Sequence, residues 1–345
     1  MNPPINVRNL IQIIVLNYFG FIRSAFSYAL STLRQMRLMR SFLKPIVHAC
    51  LQRANYTLST KEQKKINFYY PLFNQIVNIE NYLRLKGRKP SIDETKRMAI
   101  ISAMATLYDD LIDEEDYEKE QYHAIVDRTI SPSMIGPKIQ LIFELDDALR
   151  KIWSPSNDFI DALKVAIEWQ IVSKQQLLKN ISLDEILSIS ENKCGNSSLL
   201  WAAVLDEKWT LQEKDFIYQS GVVGQMVNDL FDAFKDREDG VHTFVSKANS
   251  IHQAKEIFIA ACIRLNQTIL QTSTSNQNKE KTIEHFACIH SFAMVALAHL
   301  QNTNLKYGNP WDLSKPSRSE LVTDMAFWSN KIKLVQESIF LSKLV

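Results

Sequence analysis

Apolar residues recur along most of the chain at the three- and four-residue spacing of amphipathic helices. The pattern is clear over residues 60–84, 138–152 and 157–179. A further helix is predicted from Ser91, where Ser91 and Glu94 form a capping box ahead of a regular apolar stripe. Sustained period-two alternation, which strands need, is missing from the sequence, and glycine and proline number only 8 and 10 in 345 residues. The sequence therefore predicts an all-α protein.

The helical pattern is interrupted at residues 188–200, where Lys193, Cys194 and Gly195 stand among polar residues. Glycine weakens a helix and permits a kink. Two interpretations stay open: a kink that frees backbone groups for a ligand, with Lys193 meeting an anion, or a plain loop between two helices.

Three carboxylates, Asp109, Asp110 and Asp113, end the helix that begins at Ser91. Asp109 and Asp113 lie one turn apart on the same helical face, with Asp110 beside them. The helix dipole is negative at this end and like charges repel, so the cluster costs stability unless a cation binds. Hard oxygen ligands favour Mg²⁺ or Ca²⁺ over Zn²⁺. Taken alone, however, such a cluster is more often a solvated helix end.

A second acidic run changes this balance. Asn228, Asp232 and Asp236 recur every fourth residue in a helix that is predicted to begin near Leu211, so they share one face. An amide and two carboxylates one turn apart are within reach of one Mg²⁺. The basic residues that flank the stripe and could hold a phosphate are Lys235 and Arg237.

Two motifs carry a resemblance to a known family. The stretch 109–114 (Asp-Asp-Leu-Ile-Asp-Glu) resembles the DDxxD(E) motif of class I isoprenoid synthases. The stretch 228–236 resembles the NDLxSxxKE motif of terpene synthases, with Asp in the Ser position and in the final Glu position. Read from Gln225, it also resembles the second aspartate-rich motif of trans-prenyltransferases, with Asn for the first Asp, and 193–195 resembles their Lys-Thr-Gly. The resemblance covers roughly residues 60–310.

The resemblance implies a helical barrel around a central cavity, in which the two motifs face each other and bind a cluster of about three Mg²⁺ ions. It implies ionisation of an allylic prenyl diphosphate, with release of diphosphate and formation of a terpene hydrocarbon or alcohol. It gives catalytic roles to Asp109, Asp110, Asn228 and Lys193, metal binding to Asp109, Asp110, Asp113, Asn228, Asp232 and Asp236, and contacts with the diphosphate to Lys193, Lys235, Arg237, Lys306 and Tyr307.

Other functions stay open. A trans-prenyltransferase or a squalene/phytoene-type condensing enzyme would also use two metal motifs, and the basic segment 86–90 loosely resembles the co-substrate-binding segment of prenyltransferases. It lies close before Asp109, however, and the Asn-Asp-Asp stripe favours a terpene synthase. A noncatalytic helical subunit is an alternative of a different class.

The N-terminal residues differ in charge from the rest of the chain. Residues 1–53 contain seven basic residues and no Asp or Glu, although the whole chain has a net charge of only +2. We therefore predict a basic amphipathic segment over 1–59 and a synthase-like domain over 60–345. The apolar patch Leu10–Phe19 is shorter than the ~20 residues of a membrane span and has no signal-type cleavage site. It is either a helix on an anionic membrane surface or one packed on the core.

The remaining expectations concern environment and partners. Four cysteines, at positions 50, 194, 262 and 288, lie far apart and form no metal or disulfide spacing, which favours reduced thiols in a cytoplasmic protein. A prenyl diphosphate is the expected substrate, no nucleic-acid partner is expected, and a homodimer stays open.

Overall fold

The computed structural model describes residues 7–307 and 311–344, and their side chains from Tyr18 onward. Within these ranges the chain forms helices and no strand, so the prediction of an all-α protein is confirmed. The helices are α1 (Val7–Leu38), α2 (Lys44–Ala54), α3 (Thr60–Lys64), α4 (Tyr70–Phe73), α5 (Glu80–Leu85), α6 (Ile92–Glu114), α7 (Lys119–Val126), α8 (Pro137–Arg150), α9 (Asn157–Ser173), α10 (Leu183–Ala202), α11 (Leu211–Phe231), α12 (Ala233–Glu238), α13 (Phe244–Lys247), α14 (Ile251–Gln271), α15 (Asn276–Tyr307), α16 (Arg318–Leu321) and α17 (Trp328–Leu341).

In the described part of the chain, three π-helical segments and two 3₁₀ turns join some of these helices. The π-helical segments are Met39–Leu43, Lys65–Tyr69 and Asn74–Ile79, and the 3₁₀ turns are Pro132–Met134 and Lys174–Leu177. The predicted helix over 60–84 is therefore a succession of short α-helices with two π-helical segments between them. Because π-helices are rare and often occur at functional sites, the segment beginning at Lys65 is of particular interest.

The chain divides into two compact units. The terminal unit consists of Met1–Leu30 and Val223–Val345, and the central unit consists of Ser31–Val222. The predicted boundary at residue 59 falls inside the central unit. The side chains of the apolar patch Leu10–Phe19 lie outside the described part of the structure up to residue 17.

The centre of the central unit is α6, which packs against α8 and α4. It begins at the predicted capping box, because the Ser91 hydroxyl accepts from the Glu94 N–H and the Glu94 carboxylate accepts from the Ser91 N–H. Almost every residue from Met98 to Ile112 is buried, as expected for a helix that is apolar on all sides. Asp109 therefore lies near the end of a helix that is buried in the core along most of its length.

The predicted interruption at residues 188–200 is wrong, because α10 runs through it from Leu183 to Ala202. Gly195 and Gly221 are needed for close packing of helices. A Cβ on Gly195 would lie 2.3 Å from Cε2 of Tyr218, and one on Gly221 would lie 2.2 Å from the backbone oxygen of Cys194. Glycine therefore lets α10 approach the first half of α11, and no kink is required.

The core of the terminal unit is built on α14, α15 and α17, with α15 packed against both of the others. Phe258 of α14 and Phe286 of α15 are among its largest fully or almost fully buried side chains. Helix α15 is long and apolar enough to cross a membrane, but most of that apolar stretch is buried within the protein, as in the core helix of a soluble protein.

Candidate functional site

The first acidic cluster, Asp109, Asp110 and Asp113, occupies the last two turns of α6. The three carboxylates differ in exposure, since Asp110 is buried, Asp109 is partly buried and Asp113 is exposed. The cluster therefore begins inside the central unit and ends at its surface.

A single π-helical turn supplies partners to two of these carboxylates. Lys65 Nζ lies 2.6 Å from Asp110 Oδ1, and the Tyr70 hydroxyl donates to Asp109 Oδ2 at 3.2 Å. The backbone N–H of Tyr70 donates to the carbonyl oxygen of Lys65, which closes the π turn between these two residues. Five residues along an α-helix would point about 140° apart, whereas a turn closed between residues i and i+5 brings them to one side. The π-helix is thus what lets both side chains reach α6.

Asp109 is held by uncharged donors on both oxygens. The Gln170 side-chain amide of α9 donates to Oδ1, while Tyr70 donates to Oδ2. Burial, together with the charge on Asp109, raises the pKa of Tyr70 well above its ordinary value, so the hydroxyl stays protonated and can donate. These contacts orient the Asp109 carboxylate without neutralising its charge.

Asp110 is neutralised by a cation of the chain itself. Its Oδ1 pairs with Lys65, and its Oδ2 is buried without a hydrogen-bond partner among the described residues. This carboxylate therefore supports the cluster from within, and its direct use as a metal ligand would require the Lys65 pair to open.

Asp113 has no hydrogen bond or ion pair with any described residue, but it is electrostatically coupled to the cluster. Partial desolvation of the carboxyl group by the protein around it and the negative charge of Asp109 raise the pKa of Asp113, while the positive charge of Lys193 acts in the opposite direction. Four predicted residues therefore lie in the central unit: Asp109, Asp110, Asp113 and Lys193. Lys193 acts on Asp113 through its charge and forms no ion pair with a described residue.

We expect Asp113→Asn to stabilise the metal-free protein at neutral pH. The folded protein holds the Asp113 proton more tightly than the unfolded chain, so wild type loses stability as the pH rises from the ordinary carboxyl pKa, about 3.9, through the raised pKa. The advantage of the variant should therefore grow from about pH 4 to pH 7, and stay below about 1 kcal/mol because Asp113 is exposed. Urea unfolding in EDTA measures it.

Asp116→Asn is the matched control, since Asp116 is fully exposed three residues further on and, among the described residues, its one ion pair is with Lys174 at 3.2 Å. Its stability should stay within about 0.5 kcal/mol of wild type at every pH. A gain for Asp113→Asn that is equally large at pH 4 and pH 7 would mean that Asp113 does not repel its neighbours.

The second acidic run lies in the terminal unit. The prediction that it forms one continuous helix is wrong. Helix α11 ends at Phe231, α12 begins at Ala233, and Asp232 lies between them with φ −90° and ψ 6°. The N–H of Asp232 still donates to the oxygen of Asn228, and the N–H of Asp236 to the oxygen of Asp232, each at 2.8 Å. Because the chain still turns once in four residues, the predicted stripe survives the break.

The members of this stripe contact one another only weakly. Asn228 is exposed, and its Nδ2 lies 3.5 Å from Asp232 Oδ2. Lys235 Nζ lies 3.6 Å from the same oxygen. Asp232 and Asp236 are partly buried.

The predicted diphosphate-binding residues of the terminal unit already have partners within the chain. Arg237 donates to the backbone oxygens of Leu313 and Pro316 at 3.0 and 2.6 Å, and its guanidinium also lies over the Phe234 ring. The two residues at the end of α15 share one acceptor residue, Glu320: Lys306 at 3.4 Å and Tyr307 at 2.7 Å. Their contact with a diphosphate stays a prediction, and for Arg237 it would compete with bonds that hold the segment 313–316.

The fit to Mg²⁺ can be judged from these donor sets. Within the described ranges, no group of three or more His, Cys, Asp or Glu side chains is arranged to hold a metal ion. Mg²⁺ commonly takes only one or two carboxylates and completes its shell with water and substrate phosphate. Asp109, which forms no ion pair with a described residue, and Asp113, repelled by Asp109, suit that smaller role. Asp110, which is paired with Lys65, suits it less.

Three residues of this site were not predicted from the sequence: Lys65, Tyr70 and Gln170. Lys65 and Tyr70 are five residues apart, a spacing that places side chains on different faces of an α-helix. No feature of the sequence predicts the π turn that brings them to one side. Gln170 lies 61 positions from Asp109, in a stretch with no recognisable motif.

No family profile matches the chain, and neither a curated protein nor a solved structure matches it.

Proposed function

We propose that this chain is a class I terpene synthase, a Mg²⁺-dependent carbon–oxygen lyase that ionises an allylic prenyl diphosphate. One observation supports this proposal above all: α6 ends in a carboxylate, Asp109, which uncharged donors orient on both sides. A solvated helix end would not need Tyr70 and Gln170 to converge on one acidic side chain. Orientation without neutralisation is what a metal-binding carboxylate requires.

The residues of the central unit then take distinct roles. Asp109 and Asp113 would hold Mg²⁺ and, through it, the diphosphate. When bound, Mg²⁺ would supply Lewis-acid neutralisation of the leaving diphosphate. Lys65 and Asp110 form a supporting pair, so Asp110 acts by positioning. Lys193, which already acts on Asp113 electrostatically, would stabilise the negative charge of the departing group.

The second proposed ligand set is Asn228, Asp232 and Asp236, which lie in the terminal unit. The four-residue turn of the backbone keeps their side chains on one face, as chelation by an amide and two carboxylates requires. Lys235 is the most available basic residue near this set, because it is exposed and its one ion pair with a described residue is to Asp232 at 3.6 Å.

Reaction of a single substrate is supported by the state of the basic segment 86–90. Lys86 pairs with Glu213 at 2.6 Å, and Arg88 is held by both Glu94 and Glu207. These ion pairs occupy two of the three cations of the segment, Lys86 and Arg88, which would otherwise be free to bind the diphosphate of a second substrate. The segment therefore acts as a structural link within the central unit, which favours ionisation over chain elongation.

The deciding experiment offers geranyl, farnesyl and geranylgeranyl diphosphate separately with Mg²⁺, each with and without isopentenyl diphosphate. We expect diphosphate release and a terpene hydrocarbon or alcohol from one substrate alone, detected by mass spectrometry. A longer prenyl diphosphate that forms only with isopentenyl diphosphate would establish elongation instead. A Mg²⁺-dependent thermal shift with pyrophosphate, but no product from any substrate, would establish a noncatalytic binding protein.

A further inference from the structure

Helix α1 has its apolar face turned outward. In the terminal unit Phe19, Ile22 and Phe26 are 66%, 59% and 64% exposed, and Leu30 is 45% exposed. Their spacing of three and four residues puts them on one face of the helix. Large apolar side chains scattered singly on a surface are normal, but a continuous helical stripe of them marks an interaction site.

The opposite face of α1 is small and polar, and it is fixed to α15. Gly20 packs against the Glu284 carboxylate, where a Cβ would lie 2.9 Å from Oε1. Ser24 is fully buried, with its hydroxyl 3.0 Å from Nδ1 of His285, and Tyr28 donates to the His285 backbone oxygen at 3.0 Å. Turning the helix to bury its aromatic residues would break these bonds. The outward direction of the stripe is therefore built into the fold.

The last turns of α1, which belong to the central unit, repeat this reversed pattern. Ser31 and Gln35 are buried, and Gln35 donates to the backbone oxygen of Pro71 at 3.1 Å. Leu33, by contrast, is 65% exposed. Helix α1 therefore buries small and polar side chains and exposes apolar ones along both of its parts, so this arrangement is a property of the helix itself.

Charge indicates what covers the stripe. Residues 1–53 contain seven basic residues and no acidic residue. Three of the basic residues, Arg23, Arg34 and Arg53, pair with glutamates elsewhere in the chain. Arg37, Arg40 and Lys44 are exposed and form no ion pair with a described residue, so they carry the positive charge that is left in the described part of this segment. In a symmetric pair of copies the same patch would face itself, which brings positive charges together. An anionic phospholipid surface satisfies both properties, because it accepts aromatic and aliphatic side chains and attracts arginine and lysine.

We propose that α1 is an interfacial helix that binds the chain to anionic phospholipid bilayers, with Phe19, Ile22 and Phe26 inserted at the boundary between headgroups and acyl chains. The chain would then lie on the membrane surface, where its contact combines apolar burial with electrostatic attraction. Binding should weaken as salt rises, because the electrostatic part is screened.

The test is flotation of the full-length protein with vesicles of phosphatidylglycerol and phosphatidylcholine, compared with vesicles of phosphatidylcholine alone. We expect binding to the anionic vesicles, with a partition coefficient that falls at least about tenfold in the triple variant Phe19→Ser/Ile22→Ser/Phe26→Ser, since each buried apolar side chain contributes substantially. These residues are exposed, so the variant should keep the helical circular-dichroism signal of wild type.

A matched control removes three other exposed apolar residues of the terminal unit, Phe327, Trp328 and Ile332, by substitution with serine. It should bind anionic vesicles as wild type does. Equal binding by both triple variants, or equal binding of wild type to both vesicle types, would overturn the proposal. It would also fail if wild type did not bind vesicles but sedimented as a dimer that the α1 variant dissociates, since α1 would then join two copies.

Discussion

Gly221→Ala should lower the free energy of unfolding by about 2 kcal/mol or more, even though alanine is the better helix former. The added Cβ would lie 2.2 Å from the backbone oxygen of Cys194 and 2.3 Å from the Ser198 hydroxyl oxygen, both on α10. A backbone oxygen in the middle of a helix cannot rotate away as a flexible side chain can. The two helices must therefore separate by more than an ångström to restore ordinary contact distances. Urea unfolding monitored by circular dichroism measures the loss.

Gly224→Ala provides the comparison, because it makes the same substitution three residues later in α11, where an added Cβ meets nothing within 4 Å. That variant should be as stable as wild type or more stable by up to about 1 kcal/mol, as helix propensity predicts. Similar unfolding midpoints for the two variants would show that α10 and α11 do not depend on this close approach.

The packing at Gly221 also bears on the proposed site. Helix α10 carries Lys193, which acts on Asp113, next to Cys194, whose backbone oxygen Gly221 approaches. A displacement of α10 would therefore move Lys193 relative to α6. If Gly221→Ala lowers the fraction of folded protein, the rate of diphosphate release should fall by a larger factor than that fraction does.

Asp109→Asn should reduce Mg²⁺-dependent release of diphosphate by about 10²–10³-fold, the typical effect of removing one group that stabilises a developing charge. The substitution keeps the size of the side chain and one acceptor oxygen, so Tyr70 or Gln170 retains a partner. It removes the negative charge that we propose binds Mg²⁺. Initial rates of diphosphate release with the substrate that wild type accepts provide the measurement.

Asp116→Asn removes a carboxylate of equal charge from the same region, at a residue that is fully exposed and outside the cluster. Its rate should remain within about twofold of wild type, since weak surface charges contribute little. If the two variants were equally active and both folded, Asp109 would not hold the metal. If both lost activity to the same degree, the overall charge of this end of α6 would matter more than the oriented carboxylate.

Much of the fold follows from local sequence signals. The capping box at Ser91 and the apolar stripe after it place the start of α6 and deliver the chain to Asp109, as the structure confirms. The helices predicted over 138–152 and 157–179 appear as α8 and α9, the second ending at Ser173 in a 3₁₀ turn. These features depend on residues within a few turns of one another, which helical periodicity and capping chemistry describe well.

Two local predictions differ from the structure, and packing between helices explains the first of them. Gly195 weakens an isolated helix, which is why an interruption was predicted, yet in the folded chain its small size lets Tyr218 pack against α10. At Asp232 the reverse occurs: the helix breaks, although the sequence there contains neither glycine nor proline, the residues that usually predict a break. At Gly195 the deciding contact is with a residue 23 positions away, whereas no contact among the described residues explains the break at Asp232.

The sequence by itself determined that this protein is helical, that a core helix ends in Asp109, Asp110 and Asp113, and that residues 1–53 are basic and free of acid. The tertiary structure decided which of these carboxylates is neutralised, which is oriented and which is exposed, and that α1 turns its apolar face outward. Helix formation and charge are properties of short stretches. The partners of Asp109 and Asp110, by contrast, lie 39, 45 and 61 positions away, and only folding brings them together.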